Sequence, residues 1–403
     1  MQFRKKYQII WENLENRKII FFIWPRQVGK TTILKEVFKN LDTQNKLFLN
    51  LEILDYHKYF KNFEEIKSLL IKNWFIVNSK EKFYLFLDEF HKVKNISWIL
   101  KSLYDEFENL KIIVTWSNNI EINKNITESF AGRKRVINCY TLDFEEFVIW
   151  KENLIPENVQ NFIENPLNKW KINLYLEEFL IYWSYPEIVK TEDKDEKKQV
   201  FADIFSFWFN KDILPEIKKD YKFNDFLKQI AFYNWELLNL AEIAKNIWVS
   251  QPTIANYVNL LEQFLILYPV RPFFKNKLKE IIKMPKYYFS DIWFRNFLIN
   301  RFDFLENEYW ILFENFIFWE FLKAWVYYQD IKFYRTKNWS IEVDFILEKE
   351  NKAYEVKYKE NLKLSDLKWL QKFSLEYNNF ITKVINKSNF YEEIRKIKNN
   401  LIY

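Results

Sequence analysis

Two glycines in 403 residues limit how this chain can turn more than any other feature. Average usage of about 7% would supply roughly 28, and helix ends and tight loops depend on residues that accept positive φ. The chain also holds 17 tryptophans, and several stand where a glycine is needed. Trp24 opens W-P-R-Q-V-G-K-T, between the apolar run K-I-I-F-F-I and a helical pattern that starts at Lys30. Trp116 follows the run I-I-V-T, Trp183 comes just before Y-P-E, Trp248 lies in K-N-I-W-V-S, and Trp339 in K-N-W-S. We read many of these as glycines in the cell: some bacterial lineages decode UGA as glycine, while a common translation table writes tryptophan. Trp11, Trp98, Trp208 and Trp319 are the least glycine-like by context. A UGG codon at position 24 would contradict this reading.

With glycine at 24, residues 24–31 form a phosphate-binding loop, G-x-x-x-x-G-K-[ST], between a strand and a helix. Its backbone N–H groups and the helix N-terminus suit an anion. Trp24, Pro25, Arg26, Gln27, Val28, Gly29, Lys30, Thr31 and Thr32 are the expected nucleotide-binding residues, with Lys30 on the β- and γ-phosphates and Thr31 on Mg²⁺. The strand F-Y-L-F-L-D-E-F at 83–90 ends in Asp88 for the Mg²⁺ shell and Glu89 to orient or deprotonate a water. Thr115, Ser117 and Asn118 close the next strand as γ-phosphate sensors or as an ordinary strand-end turn. Arg133 is read either as an arginine finger for a neighbouring site or as the partner of a local acid.

Short apolar runs alternate with helical patterns over 17–150, which predicts a doubly wound α/β unit with a parallel sheet. Residues 151–235 read as mostly helical, with T-E-D-K-D-E-K-K at 191–198 as an exposed loop. From Leu237 the pattern is a helix-turn-helix: Ser250 caps a second helix carrying Gln251, Thr253, Asn256 and Asn259, and F-L-I-L-Y-P-V supplies a wing strand. Such a fold serves DNA or protein partners.

Farther on, S-I-E-V-D-F-I-L and A-Y-E-V-K-Y read as a hairpin turning near Glu350. Residues i and i+2 of a strand share a face, so Asp344 meets Glu355 and Lys357 across the pair. This matches the D…E-x-K pattern of the PD-(D/E)xK nucleases, with Asp344 and Glu355 on Mg²⁺ and Lys357 on the hydrolytic water; the alternative is a solvated strand face.

Lys and Arg exceed Asp and Glu by 61 to 55, a mild excess compatible with nucleic acid. A single cysteine, Cys139, excludes an intrachain disulfide and fits a reducing cytoplasm. No apolar run reaches the roughly 18 residues of a membrane span, so a soluble cytoplasmic protein is expected.

As a set these motifs resemble prokaryotic AAA-type ATPases that end in a winged helix and a restriction-endonuclease-like module. The resemblance rests on Trp24–Thr32, Leu87–Glu89, Thr115–Ser117, Ala131–Arg133 and Phe144–Phe147. It continues through Tyr185–Glu187, Lys211–Ile213, S-Q-P-T-I, Phe289–Asn296, Glu314–Phe318 and I-E-V-D-F. It implies a P-loop ATPase core over 1–150, a helical connector over 151–235, a winged helix over 236–275 and a nuclease-like α/β domain over 285–403. It also implies ATP and Mg²⁺ as ligands, with Glu314 or Glu320 as a further acid. Three readings follow: an ATP-hydrolysing protein, a DNA-binding or DNA-cleaving protein that ATP regulates, or an interaction or regulatory protein whose C-terminal half is catalytically dead. Assembly into an oligomer is compatible with each, since an arginine finger acting in trans needs a neighbour.

Overall fold

A computed structural model describes residues 3–401 except 24–26, 95, 117–129, 183, 218–220, 234–236, 325 and 337–340. Trp24, Pro25, Arg26, Ser117, Asn118, Trp183 and Trp339 therefore lie outside the described residues. The chain divides into two compact units, Met1–Pro156 and Glu157–Tyr403.

The first unit is built on five parallel strands: β1 (Ile19–Ile23), β2 (Lys46–Asn50), β3 (Phe83–Asp88), β4 (Leu110–Trp116) and β5 (Lys134–Asn138), in the order β2-β3-β4-β1-β5. β1, β3 and β4 are buried at every position, which is why they read as unbroken apolar runs rather than alternating ones. Between and beside the strands run α1 (Lys5–Glu12), α2 (Lys30–Asn40), α3 (Phe63–Lys72), α4 (Ile96–Glu106) and α5 (Phe144–Glu152). Ile66, Leu70, Ile99, Leu100 and Leu103 of α3 and α4 pack on one face of the sheet with Phe21, Leu85 and Ile112. β4 separates β3 from β1, so the carboxyl ends of β3, β4 and β1 come together at one edge. That is where ligands bind in sheets of this kind.

The second unit begins with helices, among them α6 (Lys169–Tyr182) and α7 (Lys194–Trp208). The charged stretch at 191–198, expected as an exposed loop, opens α7 instead. Asp193 caps the helix by accepting the Asp195 and Glu196 N–H groups, and Lys197 is buried against Glu178 at 2.6 Å. Acids in a first turn satisfy the helix dipole, so the charges marked a helix start.

Two further helices, α8 (Leu240–Ile247) and α9 (Gln251–Gln263), are joined by a three-residue turn. Trp248 takes φ 62 in that turn and Ser250 accepts the Thr253 N–H. A mixed six-stranded sheet follows: β6 (Leu267–Pro272), β7 (Lys286–Phe289), β8 (Ile331–Arg335), β9 (Glu342–Leu347), β10 (Lys352–Lys357) and β11 (Ile381–Asn386), ordered β11-β10-β9-β8-β6-β7. β6 pairs antiparallel with β7 and parallel with β8, so one sheet includes the strand after α9 and the C-terminal hairpin. α10 (Tyr309–Lys323) is buried from Leu312 to Lys323, while α11 (Leu364–Glu376) and α12 (Phe390–Leu401) complete the unit.

Candidate nucleotide site and C-terminal acid cluster

Gly29 ends the loop with φ 90, in the left-handed region, and α2 starts at Lys30 immediately after it. Gln27 also takes positive φ, at 63°, so the described part of the loop is tightly wound. Lys30 is buried, and Thr31 hydrogen-bonds the Asp88 carboxylate at the end of β3. Thr115, at the end of β4, donates to Asp88 Oδ1 at 2.5 Å and accepts the Glu89 N–H at 2.8 Å. Burial pushes the Asp88 carboxyl above its ordinary range, while the two threonine hydroxyls and nearby Lys30 oppose that shift.

Glu89 follows at φ 53, ψ 45, a left-handed conformation for a residue with a Cβ, and one of its oxygens lies 3.4 Å from His91 Nδ1. The fold thus brings Lys30, Thr31, Asp88, Glu89 and Thr115 to one sheet edge. Thr31 and Asp88 offer adjacent hard oxygen donors, the chemistry that suits Mg²⁺. Among the described residues no group of three or more His, Cys, Asp or Glu side chains is placed to hold a metal. Arg133 stands apart from these residues, in an exposed bidentate pair with Asp105 at 2.7 and 3.2 Å.

The second unit assembles its own charged cluster. β9 and β10 pair antiparallel with Phe345 opposite Tyr354, and Asp344 Oδ2 accepts the Val356 N–H at 2.8 Å. Lys357 Nζ lies 2.5 Å from Glu355 Oε1, while Glu355 Oε2 is buried with no hydrogen-bond partner among the described residues. Burial drives Glu355 well above the carboxylate range and raises Asp344 as well.

Glu314 of α10 joins this group: burial pushes it up to about 7, against the pull of Lys286, and Tyr288 donates to it at 2.6 Å. Glu320, farther along the same helix, lies 3.5 Å from Lys323. Reading the sequence alone missed Lys286, which is buried on β7 and lies 2.5 Å from Glu342 and 3.6 Å from Glu314. Its β7 strand is only four residues long, too short to show a period.

The family comparisons agree with the division seen in the fold. Residues 16–148 match the sequence model of an AAA domain. Residues 173–304 match one domain of unknown function (DUF8612), and residues 311–401 match another (DUF4143). The chain is similar to an uncharacterized protein of Methanocaldococcus jannaschii, 25% identical over 87% of this chain and 78% of that one. It is also similar to an uncharacterized protein of Haemophilus influenzae, 24% identical over 80% and 78%. Among solved structures, a Walker-type ATPase of Pyrococcus abyssi aligns with TM-score 0.42 and 13% identity, covering 74% of this chain and 96% of that one. The match to the AAA domain model, over residues 16–148, falls within the N-terminal unit Met1–Pro156. No helix of the described residues is long and apolar enough to cross a membrane.

Proposed function

We propose that the chain binds ATP with Mg²⁺ and hydrolyses it through the edge formed by β1, β3 and β4. The observation that carries this reading is the Thr31–Asp88–Thr115 hydrogen-bond chain beside Lys30, which joins the start of α2 to the ends of β3 and β4 from residues far apart in sequence. In this reading Lys30 neutralises the β- and γ-phosphates, and Thr31 with Asp88 holds the magnesium shell. Glu89 accepts a proton from, or orients, the attacking water. Glycine at position 24 belongs to the same proposal, because an indole there crowds the phosphate cradle. Arg133 is proposed as a finger only in an assembly that releases it from Asp105. Lys30→Ala tests the core of the reading: nucleotide binding should be lost while the fold, followed by circular dichroism, stays intact.

A second reading rests on the buried Glu355 Oε2, unpartnered among the described residues, beside Asp344 and Lys357. An orphaned carboxylate oxygen among hydrogen-bonded neighbours fits a cation, so Asp344 and Glu355 would hold Mg²⁺ in a nuclease-like domain. When bound, the ion would supply Lewis acidity toward a phosphodiester. In this reading Lys357, which bonds Glu355, would orient the hydrolytic water. The α8–α9 pair followed by β6 and β7 would then be the winged helix, with Gln251, Thr253, Asn256 and Asn259 toward DNA or a protein partner. Nicking of plasmid DNA in Mg²⁺ that disappears in Lys357→Ala supports this reading. No cleavage of any DNA by the intact protein counts against it.

A further inference from the structure

Arg4 lies ahead of the segment that matches the AAA domain, yet it reaches the phosphate loop. Its side chain is buried, 3% exposed, and its guanidinium bonds three separate places. Nη1 donates to the Val28 carbonyl at 2.8 Å, Nη2 to the Tyr140 carbonyl at 2.8 Å, and Nε to Glu146 Oε1 at 3.3 Å. We infer that Arg4 is a positioning residue for the phosphate loop, an inference that rests on the nucleotide reading of that loop.

A trans peptide is planar, with its C=O and the following N–H pointing in opposite directions. Drawing the Val28 oxygen onto Arg4 therefore turns the Gly29 N–H away from Arg4. In a phosphate loop the backbone N–H groups face the anion, and each carbonyl must find a partner elsewhere. Gly29, at φ 90, has the backbone freedom to let the Val28–Gly29 peptide flip, which would present an oxygen in place of an N–H. A guanidinium suits the task of preventing that flip, because it stays charged and donates in a fixed fork.

The anchor for Arg4 is equally specific. Asp143 and Glu146 form a reciprocal cap at the start of α5, and Glu146 Oε1 also accepts the Lys5 N–H at 2.6 Å. One turn on, Trp150 Nε1 donates to the Phe3 carbonyl at 2.7 Å, so α5 grips the N-terminal segment twice. The F-E-E-F segment at 144–147 thereby acquires a role: it fixes the arginine that fixes the loop.

The test uses the full chain, made with residue 24 as tryptophan and as glycine, and titrates fluorescent ADP with ATP and AMP as competitors. AMP lacks the β-phosphate that the end of the loop cradles. Arg4→Gln should weaken ADP and ATP by about tenfold or more and leave AMP within about twofold, with Arg4→Lys in between. If Arg4→Gln does not fold, Glu146→Gln keeps Arg4 but loosens its anchor and should weaken ADP by about threefold. Unchanged ADP affinity in a folded Arg4→Gln or Glu146→Gln chain, or equal losses for AMP and ADP, would overturn the inference. A parent chain that binds no nucleotide with either residue at 24 would instead remove the nucleotide reading on which it rests.

Discussion

Glu89 holds a backbone conformation, φ 53 and ψ 45, that disfavours any residue with a Cβ. Such strain costs roughly 1–3 kcal/mol and persists where the surrounding structure fixes it, commonly at active sites. Glu89→Gln should keep ATP binding and lower the rate of phosphate release by about 10²–10⁴-fold, the range of a lost general base. The tryptophans divide on similar grounds. Trp74 and Trp248 are exposed and take φ 70 and 62, the left-handed region where glycine belongs. Trp116 is buried, and its indole N–H finds no partner among the described residues. Trp319 and Trp150 behave as tryptophans should, each donating to a backbone carbonyl at 2.7 Å. Trp248→Gly should therefore raise stability by about 1 kcal/mol in urea unfolding, whereas Trp319→Gly should lower it by about 3 kcal/mol or more. A loss of stability in Trp248→Gly would contradict glycine as the native residue there.

At the scale of elements, legibility followed burial. β1, β3 and β4 stood out in the sequence because both faces of each are covered, and the motifs at their ends came with them. β5 did not, because Ile137 is its only fully buried residue and its other positions carry Lys134, Arg135 and Asn138. β7 and β8 were hidden by shortness and by the buried lysines Lys286 and Lys332, which read as surface residues until their partners Glu342, Glu314 and Glu280 are seen. The Asp344–Glu355–Lys357 grouping was legible because strand periodicity is strict, while Arg4 was not, because nothing local marks an arginine that acts across 24 residues.

β4 also carries a pH dependence. Lys111 is buried, donating to the Asn16 and Lys18 carbonyls, and burial lowers its pKa to about 7. The unfolded chain then binds a proton that the folded chain releases, so stability should rise with pH from about 7 toward the ordinary lysine value of 10.5. Thermal melts across that window should show the rise, and Lys111→Met should flatten it; a parent profile that falls over the same window would contradict this account.

For the whole molecule, the two compact units divide the questions of function. The proposed ATP turnover falls to Met1–Pro156, and the acid cluster with its neighbouring helices belongs to Glu157–Tyr403. Turnover stimulated by DNA would tie the second unit to nucleic acid; turnover indifferent to DNA, without cleavage, would favour a protein partner. Both outcomes presuppose that the first unit binds nucleotide, and that claim is tested most directly by calorimetric titration of ATP in Mg²⁺ into the chain with Trp24→Gly. The account predicts one ATP bound per chain, lost in Lys30→Ala and much weakened when tryptophan is left at 24. No binding by the glycine form, or binding that Lys30→Ala leaves intact, would contradict it.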